Sequence, residues 1–456
     1  MKTFSINTLG CKVNQYESQQ LRELLEQFGL KQVKMPEKKP DLVAINTCCV
    51  TLSASAKSRQ CIRKARKLNP DAMIIVCGCL PKAQTDELNN LDSNTHVIGH
   101  QQSITATLKQ ILNGKTADSN HQNLQQDTNT VIKAENNSKI KYKFAIQPEL
   151  PLLTSFKGQS RAFLKVQDGC DGYCSYCVIP KSRPFVQSKP TKAVLQEAQA
   201  LADAGHKEIV ITGIFLGAYG LKTAIRRNWG GQQNNKLAEL LEKLVKIPNL
   251  TRIRLSSLEP ADVTQRLLDT FCEYHKIMPH IHLSLQSGSN TILKKMCRQY
   301  RVEECREKIE MIKSRLDKPA ITADFIVGFP GETDADFEAT IDLAKETGFA
   351  KMHVFSFSQR KGTPAATMQG KVNNKVIKKR SSILRKLNIE LSYKFRQQFV
   401  GKTAMVLTED SNGQFCGRSE RYFMVYFEKP ELICKKNTLI KVKLIGNNEK
   451  GAIGKI

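Results

Sequence analysis

Three cysteines stand close together in the stretch GCDGYCSYCVIP, which covers residues 169 to 180. They are Cys170, Cys174 and Cys177, and they form a C-x3-C-x2-C array. Thiolates at this spacing on one loop can each ligate one iron of a cubane [4Fe-4S] cluster and leave the fourth iron without a protein ligand. Zinc is the structural alternative, but zinc sites normally have four protein ligands, and no nearby His or Cys completes this set. The array therefore indicates an iron–sulfur cluster with one open iron.

A second group of cysteines lies far upstream, in the stretches LGC, NTCC and CGC. Each stretch follows directly after an apolar run that reads as a buried strand. In a doubly wound parallel sheet, ligands bind beyond the carboxyl ends of the strands. We therefore expect Cys11, Cys48 and Cys79 to converge at one edge of such a sheet, although they are distant in the sequence.

Composition limits the classes of function that these cysteines could serve. The chain has 456 residues, enough for two to four domains, and its 70 Lys and Arg against 43 Asp and Glu give a net charge of +27. Such an excess favours a polyanionic partner. No apolar run is long enough to span a bilayer, and the N-terminus lacks the apolar segment of a signal peptide, so we expect a cytoplasmic protein and no membrane partner. In that reducing compartment, grouped cysteines indicate metal ligands rather than disulfides.

The first two zones of the chain differ sharply in pattern. Residues 1–114 alternate apolar runs at 3–7, 41–46 and 73–76 with helical patterns, which predicts a doubly wound parallel sheet. Residues 115–155 are rich in Asn, Gln, Ser and Thr and show no apolar period. That composition predicts a flexible linker.

Six further strand–helix units follow, and they predict an incomplete parallel α/β barrel over residues 156–395. The active site of such a barrel lies at the C-terminal ends of its strands. The C-x3-C-x2-C array follows the first of these strands immediately, so it lies where chemistry is expected.

The C-terminal part begins with a helical pattern over residues 371–402, where Leu384, Leu387, Leu391, Phe395 and Phe399 share one face. The other face is rich in Lys and Arg and would attract RNA phosphates, although a solvated face is the simpler interpretation. Short β-prone stretches from residue 403 onward predict a small all-β barrel, and we assign residues 396–456 to this last domain.

Taken together, the motifs resemble one family over nearly the full length. The stretches TLGCKVNQYES, INTCCVT, GCLP, QDGCDGYCSYCVIP, HLSLQSGS and DFIVGFPGET occur in this chain in the order typical of radical SAM methylthiotransferases. Within that family, GCKVNQYES with NTC-x-VT resembles the MtaB type. The resemblance implies an N-terminal iron–sulfur domain, a radical SAM barrel and a C-terminal TRAM domain that binds RNA.

The resemblance also implies cofactors and a reaction. Cys11, Cys48 and Cys79 would hold a first [4Fe-4S] cluster that carries sulfur. Cys170, Cys174 and Cys177 would hold a second cluster whose open iron chelates S-adenosyl-L-methionine (SAM), which is cleaved reductively to a radical. The implied product is a methylthio group at C2 of N6-threonylcarbamoyladenosine, next to the anticodon of tRNA. The implied partners are the tRNA anticodon stem-loop, an electron donor such as flavodoxin or ferredoxin, and a sulfur donor.

Five residues are expected to bind SAM on the strength of the same resemblance, although a tight turn or a structural hydrogen bond would explain each of them too. Arg183 is expected to contact either SAM or tRNA. The five are Gly213, Ser284, Gln286, Gly328 and Arg183. The chain departs from the family pattern at Lys181, Pro184 and Phe215, and these departures concern how the modified base or SAM is held.

The remaining cysteines are interpreted as bystanders. Cys49 and Cys77 adjoin ligands, and alternative ligation by either is left open. The isolated thiols are expected to be small buried hydrophobes, namely Cys61, Cys272, Cys297, Cys305, Cys416 and Cys434.

Three other functions stay open. A methylthiotransferase of the MiaB type, acting on N6-isopentenyladenosine, is the alternative within the family. A non-catalytic iron–sulfur protein that binds RNA and a two-cluster electron carrier are the alternatives outside it. Both of the latter should supply four ligands to each cluster, whereas each group here offers three, which favours open irons and catalysis.

Overall fold

The computed structural model describes residues 1–34, 38–88, 91–99, 103–112, 150–411, 414–427 and 435–456. Most of the predicted linker, from residue 115 to 149, lies outside these residues, and so does Cys434. Among the described helices, none combines the length and the apolar character that crossing a membrane requires.

The N-terminal part is a five-stranded parallel sheet with helices on its faces, so the predicted doubly wound fold is confirmed. Every residue of the central strand β3 is buried, as expected for a strand covered on both faces. The strands lie side by side in the order β2-β1-β3-β4-β5. They are β1 (Thr3–Thr8), β2 (Lys31–Gln32), β3 (Leu42–Thr47), β4 (Met73–Gly78) and β5 (Thr95–Val97), and the helices are α1 (Lys12–Gln27), α2 (Leu52–Leu68), α3 (Leu80–Ala83) and α4 (Ile104–Leu112).

The central part is a parallel barrel of six strand positions in sequence order, as predicted. Its third position is interrupted at Ser256: β10 pairs with β9, while β11 pairs with β12. Within the described chain, β6 and β14 are the edges of the sheet, which leaves the barrel open between them. The barrel strands are β6 (Arg161–Lys165), β9 (Glu208–Thr212), β10 (Arg252–Leu255), β11 (Ser257–Leu258), β12 (His280–Gln286), β13 (Ala320–Val327) and β14 (Lys351–Ser356).

A short antiparallel pair, β7 (Gln167–Asp168) and β8 (Gln187–Ser188), brackets the cysteine loop between them. The helices that cover the barrel carry its apolar core on their inner faces. The helices of this part are α5 (Ile179–Ser182), α6 (Thr191–Asp203), α7 (Lys236–Leu244), α8 (Gln265–Glu273), α9 (Asn290–Lys295), α10 (Val302–Arg315) and α11 (Asp334–Thr347).

One long helix, α12 (Asn374–Gln397), connects the central barrel to the C-terminal barrel. Its predicted apolar face is confirmed: Leu384, Leu387 and Leu391 join the core of the central barrel, and Phe395 joins the core of the C-terminal one together with Phe399, two residues beyond the end of the helix. The C-terminal part is a closed barrel in the order β15-β16-β17-β19-β18, which confirms the predicted all-β fold. Its strands are β15 (Thr403–Ser411), β16 (Gln414–Ser419), β17 (Met424–Tyr426), β18 (Leu439–Asn447) and β19 (Ala452–Lys455).

The C-terminal barrel docks against the amino-terminal ends of the central strands. Arg252, the first residue of β10, donates to the carbonyl oxygens of Met405 at 2.6 Å and Arg418 at 3.3 Å. Arg254 donates to the carbonyl of Glu420 at 3.2 Å. The cysteine loop follows the opposite, carboxyl end of β6, so the C-terminal barrel closes the central barrel from the side away from that loop.

Candidate active site

The structure brings the upstream cysteines Cys11, Cys48 and Cys79 together. Each follows one of the neighbouring strands β1, β3 and β4 within three residues. The Asn14 Oδ1 atom lies 3.7 Å from Cys11 Sγ and 3.9 Å from Cys79 Sγ. Gly10, at a φ of +106°, approaches Cys48 so closely that a Cβ there would lie 3.1 Å from its Sγ. The parallel sheet thus gathers the three thiols that the sequence analysis singled out.

The protonation of these thiols differs from one to the next. Burial raises the pKa of Cys11, and it raises the pKa of Cys48 to about 11. A hydrogen bond from the Cys49 thiol, with the nearby Arg183 guanidinium, outweighs burial and lowers the pKa of Cys79 to about 6. Because metal ligation requires thiolates, Cys79 is the member of the trio that ionises most readily.

Cys77 and Cys49, the two bystander candidates of this region, lie in different apolar clusters. Cys77 packs on the opposite face of the sheet from Cys79, in the core that contains Phe4 and Leu21. Cys49 is fully buried beside Cys79, with its Sγ 3.5 Å from the Cys79 carbonyl oxygen. The position of Cys77 supports the bystander interpretation, whereas Cys49 remains within reach of the trio.

The downstream cysteines lie on the loop after β7, and each thiol receives one hydrogen bond. The Gly172 N–H donates to Cys170 Sγ at 3.3 Å, and the Ile179 N–H donates to Cys177 Sγ at 3.4 Å. Arg298 Nη1 donates to Cys174 Sγ at 3.1 Å. Hydrogen bonds to the sulfurs are one of the means by which a protein tunes an iron–sulfur cluster.

The loop fits the cluster that its spacing predicts. Burial raises the pKa of Cys170 and of Cys177 to about 12, so these thiols ionise when a bound metal replaces their protons. The backbone donors and the Arg298 guanidinium are the groups that would stabilise the resulting negative charge. The loop between Gly169 and Pro180 thus offers three thiols as candidate ligands, and each of their sulfurs has a hydrogen-bond donor beside it.

Arg298 belongs to a buried ionic network that the sequence analysis missed. Its Nη2 lies 2.5 Å from Glu259 Oε1, and Arg226 Nη2 lies 3.1 Å from Glu259 Oε2 and 2.6 Å from Asp262 Oδ1. Arg298 reaches Cys174 across 124 positions of sequence. No local motif marks such a contact, so only the folded chain reveals it.

Arg183 connects the two sets of cysteines. Its carbonyl oxygen accepts a hydrogen bond from the Cys170 N–H at 2.9 Å, while its guanidinium is near enough to the Cys79 thiol to lower the pKa of that thiol. The same guanidinium donates to Glu17 at 2.7 Å and to Asp168 at 2.8 Å, at the junction of the N-terminal sheet and the central barrel. The two cysteine sets are therefore neighbours across this junction.

An apolar contact supports the same juxtaposition. Val178, which directly follows Cys177, packs in one cluster with Cys79 and Leu80 of the N-terminal part. The short helices α3 and α5, which begin just after the last cysteine of each set, contact one another. The cysteine sets thus face each other through a packed interface.

Two predicted SAM contacts lie at the carboxyl ends of barrel strands. Gly213 follows β9, and a Cβ there would lie 3.0 Å from Gln167 Oε1, an atom that also accepts from the Phe215 N–H at 2.8 Å. The Ser284 carbonyl in β12 accepts from the Tyr300 hydroxyl at 2.5 Å. The Phe215 ring lies 5.4 Å from the Arg226 guanidinium. SAM binding by Gly213 and Ser284 stays a prediction.

The other two predicted SAM contacts, Gln286 and Gly328, both have a positive φ. Gln286 has a φ of +65°, at the irregularity where β12 loses its regular pairing with β13. Gly328 has a φ of +80°, and a Cβ there would lie 2.4 Å from Ile377 Cγ1 of α12. Glycine at residue 328 is therefore required by the close approach of α12, and SAM contacts at both residues stay predictions.

A cavity of about 510 Å³ lies where the three parts of the chain meet. Cys11 and Lys12 line it from the N-terminal part, and Tyr422 lines it from the C-terminal barrel. The central barrel contributes side chains spaced two residues apart, which places them on the inner face of their strands. They are Arg161 and Phe163 from β6, His280 and His282 from β12, Asp324 from β13, and His353 and Phe355 from β14.

Three polar side chains that line this cavity, His282, Asp324 and His353, lie close together. His282 Nε2 lies 3.2 Å from Asp324 Oδ2, and His282 Nδ1 lies 2.8 Å from Thr322 Oγ1. The His353 ring centre is 5.6 Å from that of His282. The sequence analysis missed these residues, although the alternation in HIH, with polar side chains on the inner face of a barrel strand, was a signal for them.

The isolated cysteines do not all behave as predicted. Cys305 and Cys416 are buried, as expected, but Cys272 is exposed, so the prediction of a buried residue there is wrong. The preceding residues Thr270 and Phe271 form the buried face of α8, which turns Cys272 outward at the end of the helix. Cys61 and Cys297 are partly buried.

Two family profiles match the chain. The family described as Radical SAM superfamily matches residues 164–344, and the family described as Uncharacterized protein family UPF0004 matches residues 3–99. A solved structure, the radical S-adenosylmethionine methyltransferase TsrM from Kitasatospora setae with cobalamin and a [4Fe-4S] cluster, superimposes with a TM-score of 0.52. It is 15% identical and covers 80% of this chain and 74% of its own, so the similarity is one of fold.

Curated relatives match over nearly the whole length. The threonylcarbamoyladenosine tRNA methylthiotransferase MtaB of Chlamydia pneumoniae is 35% identical over 455 residues, which are 100% of this chain and 98% of that protein. The tRNA-2-methylthio-N(6)-dimethylallyladenosine synthase of Pelotomaculum thermopropionicum is 33% identical and covers 95% of this chain and 94% of its own. Both types of relative therefore align with all three parts of the chain described above.

Proposed function

Because the chain belongs to the radical SAM methylthiotransferases of the MtaB type, we propose that it adds a methylthio group to C2 of N6-threonylcarbamoyladenosine in tRNA. The observation that supports this proposal best is the meeting of two cysteine trios at one junction, where Arg183 accepts a hydrogen bond from Cys170 and lowers the pKa of Cys79. A reaction that joins a sulfur group to an unactivated carbon needs two reactive centres close to one substrate.

We assign the two cofactor sites to the two trios. Cys11, Cys48 and Cys79 hold the first [4Fe-4S] cluster, and Cys170, Cys174 and Cys177 hold the second, to which SAM binds. When bound, the clusters and SAM supply the radical and the sulfur that the reaction needs. Gly213, Ser284, Gln286 and Gly328 lie near the carboxyl ends of barrel strands and are assigned to the SAM side of the site, although Gly328 directly contacts α12.

The protein's own groups hold the two cysteine sets in place. Arg298 and the backbone N–H groups of Gly172 and Ile179 hold the loop cysteines in place. Arg183 is buried between Glu17 and Asp168, so it ties the N-terminal sheet to the barrel at the junction of the trios. Its role in this proposal is to position the two sets, with contact to SAM as the alternative.

The RNA-binding face of the proposal is the outer surface of α12 with the C-terminal barrel. Lys375, Lys378, Lys379 and Lys386 lie along this helix, and all four are exposed beside its apolar stripe. Not every basic residue of the helix is available, because Arg380 pairs with Glu332 at 2.7 Å, in the interior. An anticodon stem carries the phosphates that such a face attracts.

Two further partners follow from the chemistry rather than from any contact. Reductive cleavage of SAM consumes electrons, so the proposal includes a donor such as flavodoxin or ferredoxin. Each turnover also removes sulfur from the enzyme, so the proposal includes a sulfur donor.

Since tRNA works in the cytoplasm, we place the activity there. The four proposed domains are residues 1–114, 115–155, 156–395 and 396–456.

The test uses anaerobically reconstituted protein with SAM, dithionite and tRNA that carries either threonylcarbamoyladenosine or isopentenyladenosine. Nucleosides are then analysed by mass spectrometry, and 5′-deoxyadenosine is measured in parallel. We expect a gain of one methylthio group on the threonylcarbamoyl nucleoside and not on the isopentenyl one. Absence of SAM cleavage would overturn the radical chemistry, and methylthiolation of the isopentenyl nucleoside alone would overturn the substrate.

A further inference from the structure

We propose that Lys12 and Arg161 form an anion subsite that binds the carboxylate of the threonylcarbamoyl group and thereby selects this nucleoside. This inference rests on the proposed function, and it assigns the choice of substrate to particular side chains. Both residues line the cavity of about 510 Å³, which is large enough for a modified base. The ligand class is a carboxylate attached through N6 of adenine.

The position of the subsite fits the site of reaction. Lys12 directly follows Cys11 and begins α1, while Arg161 begins β6, and all three residues line the same cavity. In adenine, N6 and C2 lie on the same edge of the ring, on either side of N1. A base whose C2 points towards the Cys11 side of the cavity therefore presents its N6 substituent to a neighbouring part of the same wall.

Both cations have capacity left for a ligand. Arg161 Nε lies 3.2 Å from Glu409 Oε1, but its Nη1 is buried and has no hydrogen-bond partner among the described residues. Lys12 forms no ion pair with any residue in the described ranges. Arg254 differs, because Glu208 and carbonyl groups of the C-terminal barrel already occupy its guanidinium. A buried donor without a partner is costly, and a carboxylate would satisfy it.

The pKa values of three groups around the cavity reflect its burial and its cations. The pKa of Tyr422 is lowered to about 8 although burial opposes this, because Arg418, Arg161 and Lys12 favour the phenolate. Burial lowers the pKa of His280 and brings that of His353 to about 4, and Lys12 contributes to both. The cavity thus disfavours further positive charge and favours an anion.

The same arrangement disfavours an isopentenyl substituent. An apolar group in this cavity would remove water from Lys12 and from the Asp324 carboxylate without replacing any hydrogen bond, and it would leave the buried Arg161 Nη1 atom without a partner. Polar groups that lose water without gaining partners are penalised, and sites built for a polar substrate reject apolar analogues strongly on this ground. The subsite would therefore separate the two nucleosides that occur in the names of the relatives.

The experiment compares two anticodon stem-loop RNAs that differ in one group: the threonyl carboxylate in one and its neutral carboxamide in the other. Binding to the reconstituted enzyme is measured by fluorescence anisotropy, and KM and kcat are measured separately. For Lys12→Met we expect roughly ten- to a hundredfold weaker binding of the carboxylate RNA, with a higher KM. Binding of the carboxamide RNA should not change. Arg161→Met should act in the same direction.

Two controls accompany the variants. Lys31→Met removes an exposed positive charge on β2, outside the cavity, and should affect neither RNA. The iron content of Lys12→Met must equal that of the parent enzyme, because Lys12 adjoins Cys11.

Each outcome bears on the subsite. Equal binding of the two RNAs by the parent enzyme, or equal weakening of both RNAs by Lys12→Met, would overturn it. The binding comparison does not depend on turnover, so the subsite can survive or fail independently of methylthio transfer. If the parent enzyme prefers the carboxylate RNA but modifies neither, the subsite stands and the proposed reaction fails.

Discussion

At the scale of single residues, the cysteine assignments make a measurable prediction. Replacing Cys174 and Cys177 together by Ala should lower the iron content of the reconstituted protein by about half, since each cubane contains four irons. Iron is measured by colorimetric chelation per mole of protein. Cys272→Ala is the matched control, because this thiol is exposed on α8 and belongs to neither trio. Full iron content in the double variant would contradict the ligand assignment.

The Tyr422 phenol gives a second prediction at this scale. Because nearby cations hold its pKa at about 8, we expect it to ionise well before an ordinary tyrosine, whose pKa is about 10. The phenolate absorbance in the near ultraviolet is followed as the pH rises, and the Tyr422→Phe titration is subtracted from that of the parent protein.

Lys12→Met provides a check on the cause of this titration. Removing the lysine takes away one of the positive charges that stabilise the phenolate, so the pKa of Tyr422 should rise towards about 10. A difference spectrum that titrates only near the ordinary tyrosine value in the parent protein would show that the cavity lacks the positive potential.

The residues that the sequence revealed are those whose chemistry depends on local spacing. Cys170, Cys174 and Cys177 could be found because the whole array lies within one loop. Arg298 and Tyr422 could not, because their contacts to Cys174 and to the barrel cavity join distant parts of the chain. The exposure of Cys272 depended on where one helix ends, which its composition does not specify.

At the scale of elements, strand β10 fastens the C-terminal barrel to the central one. Arg254 Nε lies 2.9 Å from Glu208 Oε1, and both side chains are fully buried. Glu208→Gln would leave the arginines of β10 without their counter-ion, and breaking a buried pair in this way costs roughly 3 to 5 kcal/mol. We expect a lower midpoint of thermal unfolding at neutral pH, measured by circular dichroism.

The effect of Glu208→Gln should also depend on pH. Although burial opposes ionisation, Arg254 and its neighbours lower the pKa of Glu208 to about 2, from an ordinary value of 4.5. The stabilisation is therefore complete above about pH 4.5 and is lost as the pH falls through about 2, so the two proteins should converge in acid. Glu390→Gln, in an exposed pair on α12, is the control and should change the midpoint little.

Most elements of the fold were predictable because their periodicity is strong. The buried strand β3, the six barrel positions and the apolar face of α12 all follow from apolar spacing. The interruption of the third barrel strand at Ser256 was not predictable, because it arises from pairing with different neighbours on either side. The contact between the C-terminal barrel and β10 depends on Arg252 and Arg254, and nothing in the sequence distinguishes these arginines from other strand residues.

At the scale of the whole molecule, the net charge of +27 should make the affinity for RNA depend strongly on salt concentration. Charge reversal by Lys378→Glu with Lys386→Glu on α12 should weaken binding of the anticodon stem-loop. The dependence of log affinity on log salt should become shallower by about one for each phosphate that the helix no longer neutralises. Fluorescence anisotropy at several salt concentrations measures both effects.

A matched pair of substitutions controls for net charge alone. Lys31→Glu with Lys34→Glu makes the same change in charge at the edge of the N-terminal sheet, where both residues are exposed. Equal decreases in affinity for the two double variants would mean that α12 has no special part in holding RNA.

The seating of the C-terminal barrel has a consequence for which nucleotide is reached. Tyr422 of that barrel lines the cavity, and Phe395 of α12 packs in the core of the same barrel with Phe399, which follows the helix. The surface that would hold the stem and the surface that would meet the inserted base are thus connected through packed side chains. In the proposed complex, this connection would set the distance between the bound stem and the reacting atom, so a nucleotide one step along the loop would arrive out of register.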